Sequence, residues 1–130
     1  MKILKILLLF VAIFTCSEVA SGQTFKIIGY ENSNISESTL QKYKTEALGS
    51  KLTLEIYSND VKVTVYPKDG SPDSSVFTKE NNTTYVFTKG KDKAVLKLNL
   101  LVKYIRSGVI SVYENNKLTG KITFERDGVF

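Results

Sequence analysis

Few residues in this chain could do chemistry. The run Pro67-Lys68-Asp69-Gly70-Ser71-Pro72-Asp73 gathers two carboxylates and a hydroxyl, hard oxygen donors of the kind calcium takes. Their spacing does not fit an EF-hand loop, and each residue type is ordinary turn chemistry, so the run predicts no metal site. Ser74-Ser75 has no companion base within motif distance. Glu55 and Glu125 alternate outward on their runs and read as solvated face residues. The chain has no histidine, which removes the commonest general base, the triad base and the commonest metal ligand. No acid–base–nucleophile constellation is visible, so the expectation is a protein that is not an enzyme and needs no cofactor.

The aromatic residues offer binding rather than catalysis. Tyr85 and Phe87 share a parity, and Phe77 faces them across a hairpin. These three serve as core, or they line the mouth of a barrel with Arg106 or Arg126 as polar anchor for a small apolar ligand. Tyr57 and Tyr66 fall on the parity opposite to the apolar face of their runs. Lying together on the outside, they would form a contact patch for a protein or a sugar. Lys89-Gly90-Lys91-Asp92-Lys93 is the densest basic cluster. It reads first as a solvated hairpin tip whose lysines discourage edge pairing, and second as a contact for an anionic glycan or headgroup.

The only cysteine, Cys16, stands inside an export signal. Lys2 and Lys5 form a positive start, residues 6–14 are an unbroken apolar run of nine, and residues 15–22 are more polar. Nine residues are too few to cross a bilayer, which takes about 20. No later apolar run is long enough to span a membrane either. Ala20 and Gly22 place small residues at the −3 and −1 positions of a cut that leaves Gln23 as the first residue. The alternative is lipidation at Cys16, for which Ile13 is suitable and Phe14 and Thr15 fit less well. The expected product is a single domain, residues 23–130, in the periplasm or outside the cell, with an outer-membrane lipoprotein as the alternative. A small exported domain with no disulfide points to a bacterial protein stabilised by its core alone. Loss of Lys2, Lys5 and Glu18 takes the basic count from 18 to 16 and the acidic count from 13 to 12, a net of +4. That charge suits anionic glycans, headgroups or acidic envelope proteins. It forms no basic arm of the kind that carries nucleic-acid affinity.

The elements that must position these residues are mostly strands. A first strand covers residues 25–30. Asn34 caps a helix over residues 36–48, with Glu37 three residues on, Leu40, Tyr43 and Ala47 on one face, and Gly49 as the stop. Alternation then predicts strands over 51–56 and 61–65, over 76–79 and 83–89, and a long one over 94–104, for which a helical period is the weaker alternative. Ser107-Gly108 reads as a turn or kink. A last hairpin pairs 109–113 with 118–125, Leu118, Gly120, Ile122 and Phe124 lying on one face. About eight strands joined by tight turns give a mainly β, antiparallel meander that curls into a small barrel or folds into a sandwich, with one short helix after the first strand. Strand, helix, then meander is an order shared with calycin-type ligand-binding barrels, which the chain resembles in architecture. It has no tryptophan, so the Gly-x-Trp mark of lipocalins is missing. The resemblance implies a small binding protein, holding an apolar or amphipathic ligand or presenting a surface. An interaction or inhibitor module of the envelope is the alternative. The positive charge argues against inhibitors of basic lytic enzymes, which need acidic partners. An interior cavity of about 300 Å³ or more would favour the ligand form, and a packed interior would count against it.

Overall fold

The computed structural model describes residues 21–68, 71–101 and 104–126. Eight strands follow one another around a closed antiparallel barrel: β1 Ser21–Asn32, β2 Lys51–Ile56, β3 Asp60–Tyr66, β4 Asp73–Asn81, β5 Thr84–Lys89, β6 Asp92–Leu101, β7 Tyr104–Glu114 and β8 Lys117–Arg126. One helix, α1 (Glu37–Ala47), lies between β1 and β2. The expected barrel and helix are both present. The export signal and Cys16 lie outside the described residues, except that Ser21 and Gly22 open β1.

Closure depends on β1. Its first half pairs with β2, from Ser21↔Ile56 to Lys26↔Lys51, and its second half pairs with β8, from Phe25↔Arg126 to Asn32↔Gly120. A bulge between Ile27 and Gly29 bends the strand where it changes partner. Every strand thereby has two neighbours, and the barrel leaves no edge open to another chain.

Alternation fills the inside. Phe25, Leu52, Leu54, Val61, Val65, Phe77, Ala94, Leu96, Ile110, Val112 and Phe124 are all fully buried. Phe25 and Phe124 meet edge to face with ring centroids 5.2 Å apart, a geometry that adds to the area they bury. Gly108 makes room for this pair. It stands opposite Phe124 in the β7–β8 ladder, and a Cβ there would come within 2.4 Å of the Phe124 ring. Ser107-Gly108 is therefore not a turn but the middle of β7, and the glycine serves a close approach between strands.

The other differences from the expected elements are local. The strand expected over 94–104 is two strands: β6 ends at Leu101, and Tyr104, at the start of β7, pairs back with it. The chain reverses without Gly, Pro or Asn to mark the turn, so alternation alone could not locate it. The helix is capped by Ser36, whose Oγ accepts from the Thr39 amide at 3.3 Å. Asn34 instead donates from Nδ2 to Glu114 at 2.6 Å, tying the start of the helix connection to the β7–β8 hairpin. The helix ends as expected at Gly49, whose φ of 84° suits glycine. The Gly49 amide donates to Ile27 O and the Ile27 amide to Ser50 O, both in the bulged stretch of β1. The helix thus covers one end of the barrel, with Leu40 and Tyr43 packed on the core and Ala47 buried in it.

Candidate binding cleft

The residues expected to bind are distributed over core, surface and one barrel mouth. Phe77 is fully buried and Tyr85 nearly so. Phe87 packs edge to face on Phe77 at 6.1 Å, the cross-hairpin contact anticipated from parity. Phe77 and Tyr85 are core side chains, and Phe87 is partly buried against that core. Burial pushes the Tyr85 hydroxyl above its ordinary pKa, so it is neutral at any physiological pH. Tyr57 and Tyr66 face outward as expected, but they do not lie together. Tyr66 stands opposite Lys51 at one end of the β2–β3 hairpin, with the Lys51 ammonium 4.5 Å from its ring, whereas Tyr57 follows Ile56 at the other end. There its hydroxyl donates to Glu55 at 3.1 Å. Alternation fixes the face a residue occupies but not its position along the barrel.

The two arginines also separate. Arg106 is exposed on β7. Arg126, at the end of β8, shares the inward parity of Phe25. Its Nη2 donates to Gln23 Oε1 at 2.6 Å, its Nε donates to Ile105 O at 3.2 Å, and its guanidinium lies 5.5 Å from the centre of the Phe25 ring. Arg126 thus stands at a barrel mouth and joins the first strand to the last two. At the opposite end Asp73 lies on β4, paired with Val65 and 8% exposed. Burial holds its carboxyl above the ordinary value. Asp69 lies outside the described residues. The Lys89–Lys93 stretch turns tightly at Gly90, with the Lys93 ammonium 5.4 Å from the Tyr113 ring.

Among the described residues, inward side chains fill the middle of the barrel. Accessible surface includes the wall of any internal void wide enough for water. Side chains with none of it, from Phe25 through Leu54 and Leu96 to Phe124, therefore border no such void. Space of ligand size is present outside the barrel. A cleft of about 410 Å³ opens between α1 and the seam where β1 meets β8. Tyr30, Asn32, Thr119 and Gly120 line it from the strands, Leu40 and Lys44 from the helix, and Leu118 and Lys121 from β8. Its volume falls in the range of small-molecule sites, about 300–1,000 Å³.

Leu118 reaches this cleft because the expected alternation of β8 is broken. A bulge between Val112 and Tyr113 sets Tyr113 opposite Leu118 and Val112 opposite Gly120. Leu118 is consequently 42% exposed, and Thr119 is buried in its place. The signal was in the turn: Asn115 and Asn116, both at positive φ, form a two-residue hairpin connection that fixes the register of Tyr113 against Leu118. If Val112 points inward, Leu118 in that register points outward. Lys44 and Lys121 carried no such signal, since each occupies an ordinary polar position.

No family model matches this chain, and neither does any curated protein or solved structure. The cleft is therefore read from its own residues. Among the described residues no group of three or more acidic side chains gathers as metal ligands, and no helix is long and apolar enough to cross a membrane. What the cleft offers is apolar surface from Leu40 and Leu118 among polar groups, with the Lys44 and Lys121 ammonium groups and the Glu31 carboxylate at its sides.

Proposed function

We propose that the protein is an exported, non-enzymatic binding protein, calycin-like in architecture, that takes a small ligand on the outside of a filled barrel. The observation carrying this reading is the cleft of about 410 Å³ between α1 and the β1–β8 seam, next to an interior whose side chains leave no room. Export rests on the signal pattern of residues 1–22 and the Ala20-x-Gly22 site. The test is amide shift mapping against a panel of small amphipathic compounds. Perturbations concentrated at Ser33, Thr119 and Lys121 are expected. Perturbations concentrated at Leu54, Leu96 and Ile110 would place the ligand inside and refute the outside site. Mass spectrometry of the exported product should find Gln23 as its first residue; a lipidated Cys16 would overturn the soluble form.

A second reading, an envelope interaction module, is favoured by one feature. Leu100 and Tyr104, 41% and 56% exposed, both stand at the β6–β7 end, away from the cleft, Leu100 paired with Ile105 and Tyr104 with Leu101. Large apolar side chains grouped at a surface mark contact sites. If this is the working surface, Tyr104→Ser abolishes capture of an envelope partner and leaves cleft binding unchanged.

A further inference from the structure

Building on the cleft reading, we infer that the ligand is an amphipathic anion of about a dozen non-hydrogen atoms. Its apolar tail lies along Leu40 and Leu118, and its anionic head is met by Lys44 and Lys121. The size follows from the space: about 410 Å³ holds roughly a dozen groups at about 30 Å³ each, the share of a water molecule in the liquid.

The charge follows from what the lining groups are already doing. Three neutral polar residues of the cleft, Asn32, Ser33 and Thr119, have side-chain groups used within the fold. Asn32 Oδ1 accepts from the Asn34 amide at 2.9 Å. The Ser33 amide and hydroxyl both donate to Thr119 O, at 2.8 and 3.3 Å. Thr119 Oγ1 donates to Val112 O at 3.4 Å. Lys44 and Lys121 are half-buried and form no ion pair among the described residues, although Glu31, also lining the cleft, stands opposite Lys121 in the β1–β8 register. The available donors are therefore two ammonium groups against one exposed carboxylate, a local excess of positive charge beside apolar surface. A neutral ligand would leave both cations uncompensated in a partly desolvated site, and a cationic one would add repulsion.

The apolar half follows from Leu118. A leucine 42% exposed beside Leu40 of the helix gives a tail something to displace water from, at about 25 cal/mol per Å² of apolar surface covered. The space is concave and holds one chain, so the anion is a free molecule rather than the surface of a bilayer.

Decanoate, with twelve non-hydrogen atoms, is the probe, and decanol and decyltrimethylammonium carry the same tail on other heads. Decanoate is expected to shift the amide signals of Ser33, Thr119 and Lys121. Its affinity should fall about tenfold in Lys44→Gln plus Lys121→Gln, as two partly exposed charge pairs are lost, while decanol binding stays constant. Leu118→Ser, at an exposed position that leaves the core intact, should weaken all three probes alike. Equal affinity for the three heads would overturn the anionic assignment and leave the cleft standing. No cleft shifts with any probe would overturn both. Binding to phosphatidylglycerol vesicles without binding to monomeric decanoate would overturn the free amphiphile in favour of a membrane surface.

Discussion

The two ends of the barrel are finished in different ways. At one end Arg126 links Gln23, Ile105 and the Phe25 ring, so a single side chain joins the first strand to the last two. At the other end the closure is a helix laid over the opening, attached through backbone hydrogen bonds from Ile27 and Gly49 and by Leu40 and Tyr43 on the core. The first solution consumes its polar groups. The second leaves a cleft beside the helix and two lysines facing it. Binding capacity follows from the looser closure, and a charged anchor at a barrel mouth is not by itself a ligand site.

Mutation of each closure tests that contrast. Arg126→Ala should cost about 1.5–3 kcal/mol of global stability, because it removes hydrogen bonds made by a charged group and leaves the Gln23 amide to find another partner. Denaturant unfolding measures it, and amides of β1 and β8 should lose exchange protection together. Ser36→Ala should cost about 1 kcal/mol or less, through loss of the helix cap. Exchange should quicken in α1 while the barrel amides hold. If both variants soften the whole molecule equally, the two ends are one cooperative unit and the contrast fails.

The smallest effect concerns Asp73. Its folded-state pKa is raised by burial from the ordinary 3.8. Below that value the carboxyl is protonated in both states and burial is tolerated. As the pH climbs through the raised value, ionisation favours the unfolded chain, and stability is lost. Asp73→Asn should therefore melt at a higher temperature than the parent protein near neutral pH, with the gap closing as the pH falls toward 3.8. A gap that widens in acid would show that the carboxylate is stabilised in the fold.

Much of this architecture could be read from the residues. The alternation of Leu52, Leu54 and Ile56, of Val61, Val63 and Val65, and of Ala94, Leu96 and Leu98 located inward faces correctly, because a period of two is all a strand needs to sort its sides. Three kinds of information were missing. Bulges at Ile27/Gly29 and Asn99/Leu100 shift parity without any turn residues to announce them. The reversal after Leu101 lacks turn residues. The volume inside the barrel depends on how side chains from eight strands fit one another, so Phe77 and Tyr85 could equally have lined a cavity. Of the cleft, only Leu118 was recoverable, through the Asn115-Asn116 turn. Lys44 and Lys121 come together only once a helix and the last strand share an end of the barrel.

The pairing of β1 with β8 also has a consequence in time. Every other ladder joins strands that are consecutive in the sequence and can form as soon as the later strand is available. The closing one brings together residues as far apart as Gln23 and Arg126, so its loop-closure cost falls on the final step. Until Lys117–Arg126 has been made, β1 and β7 are both bare edges, and no partial chain is a smaller version of the finished barrel. The barrel is closed by the ten residues of β8 or not at all.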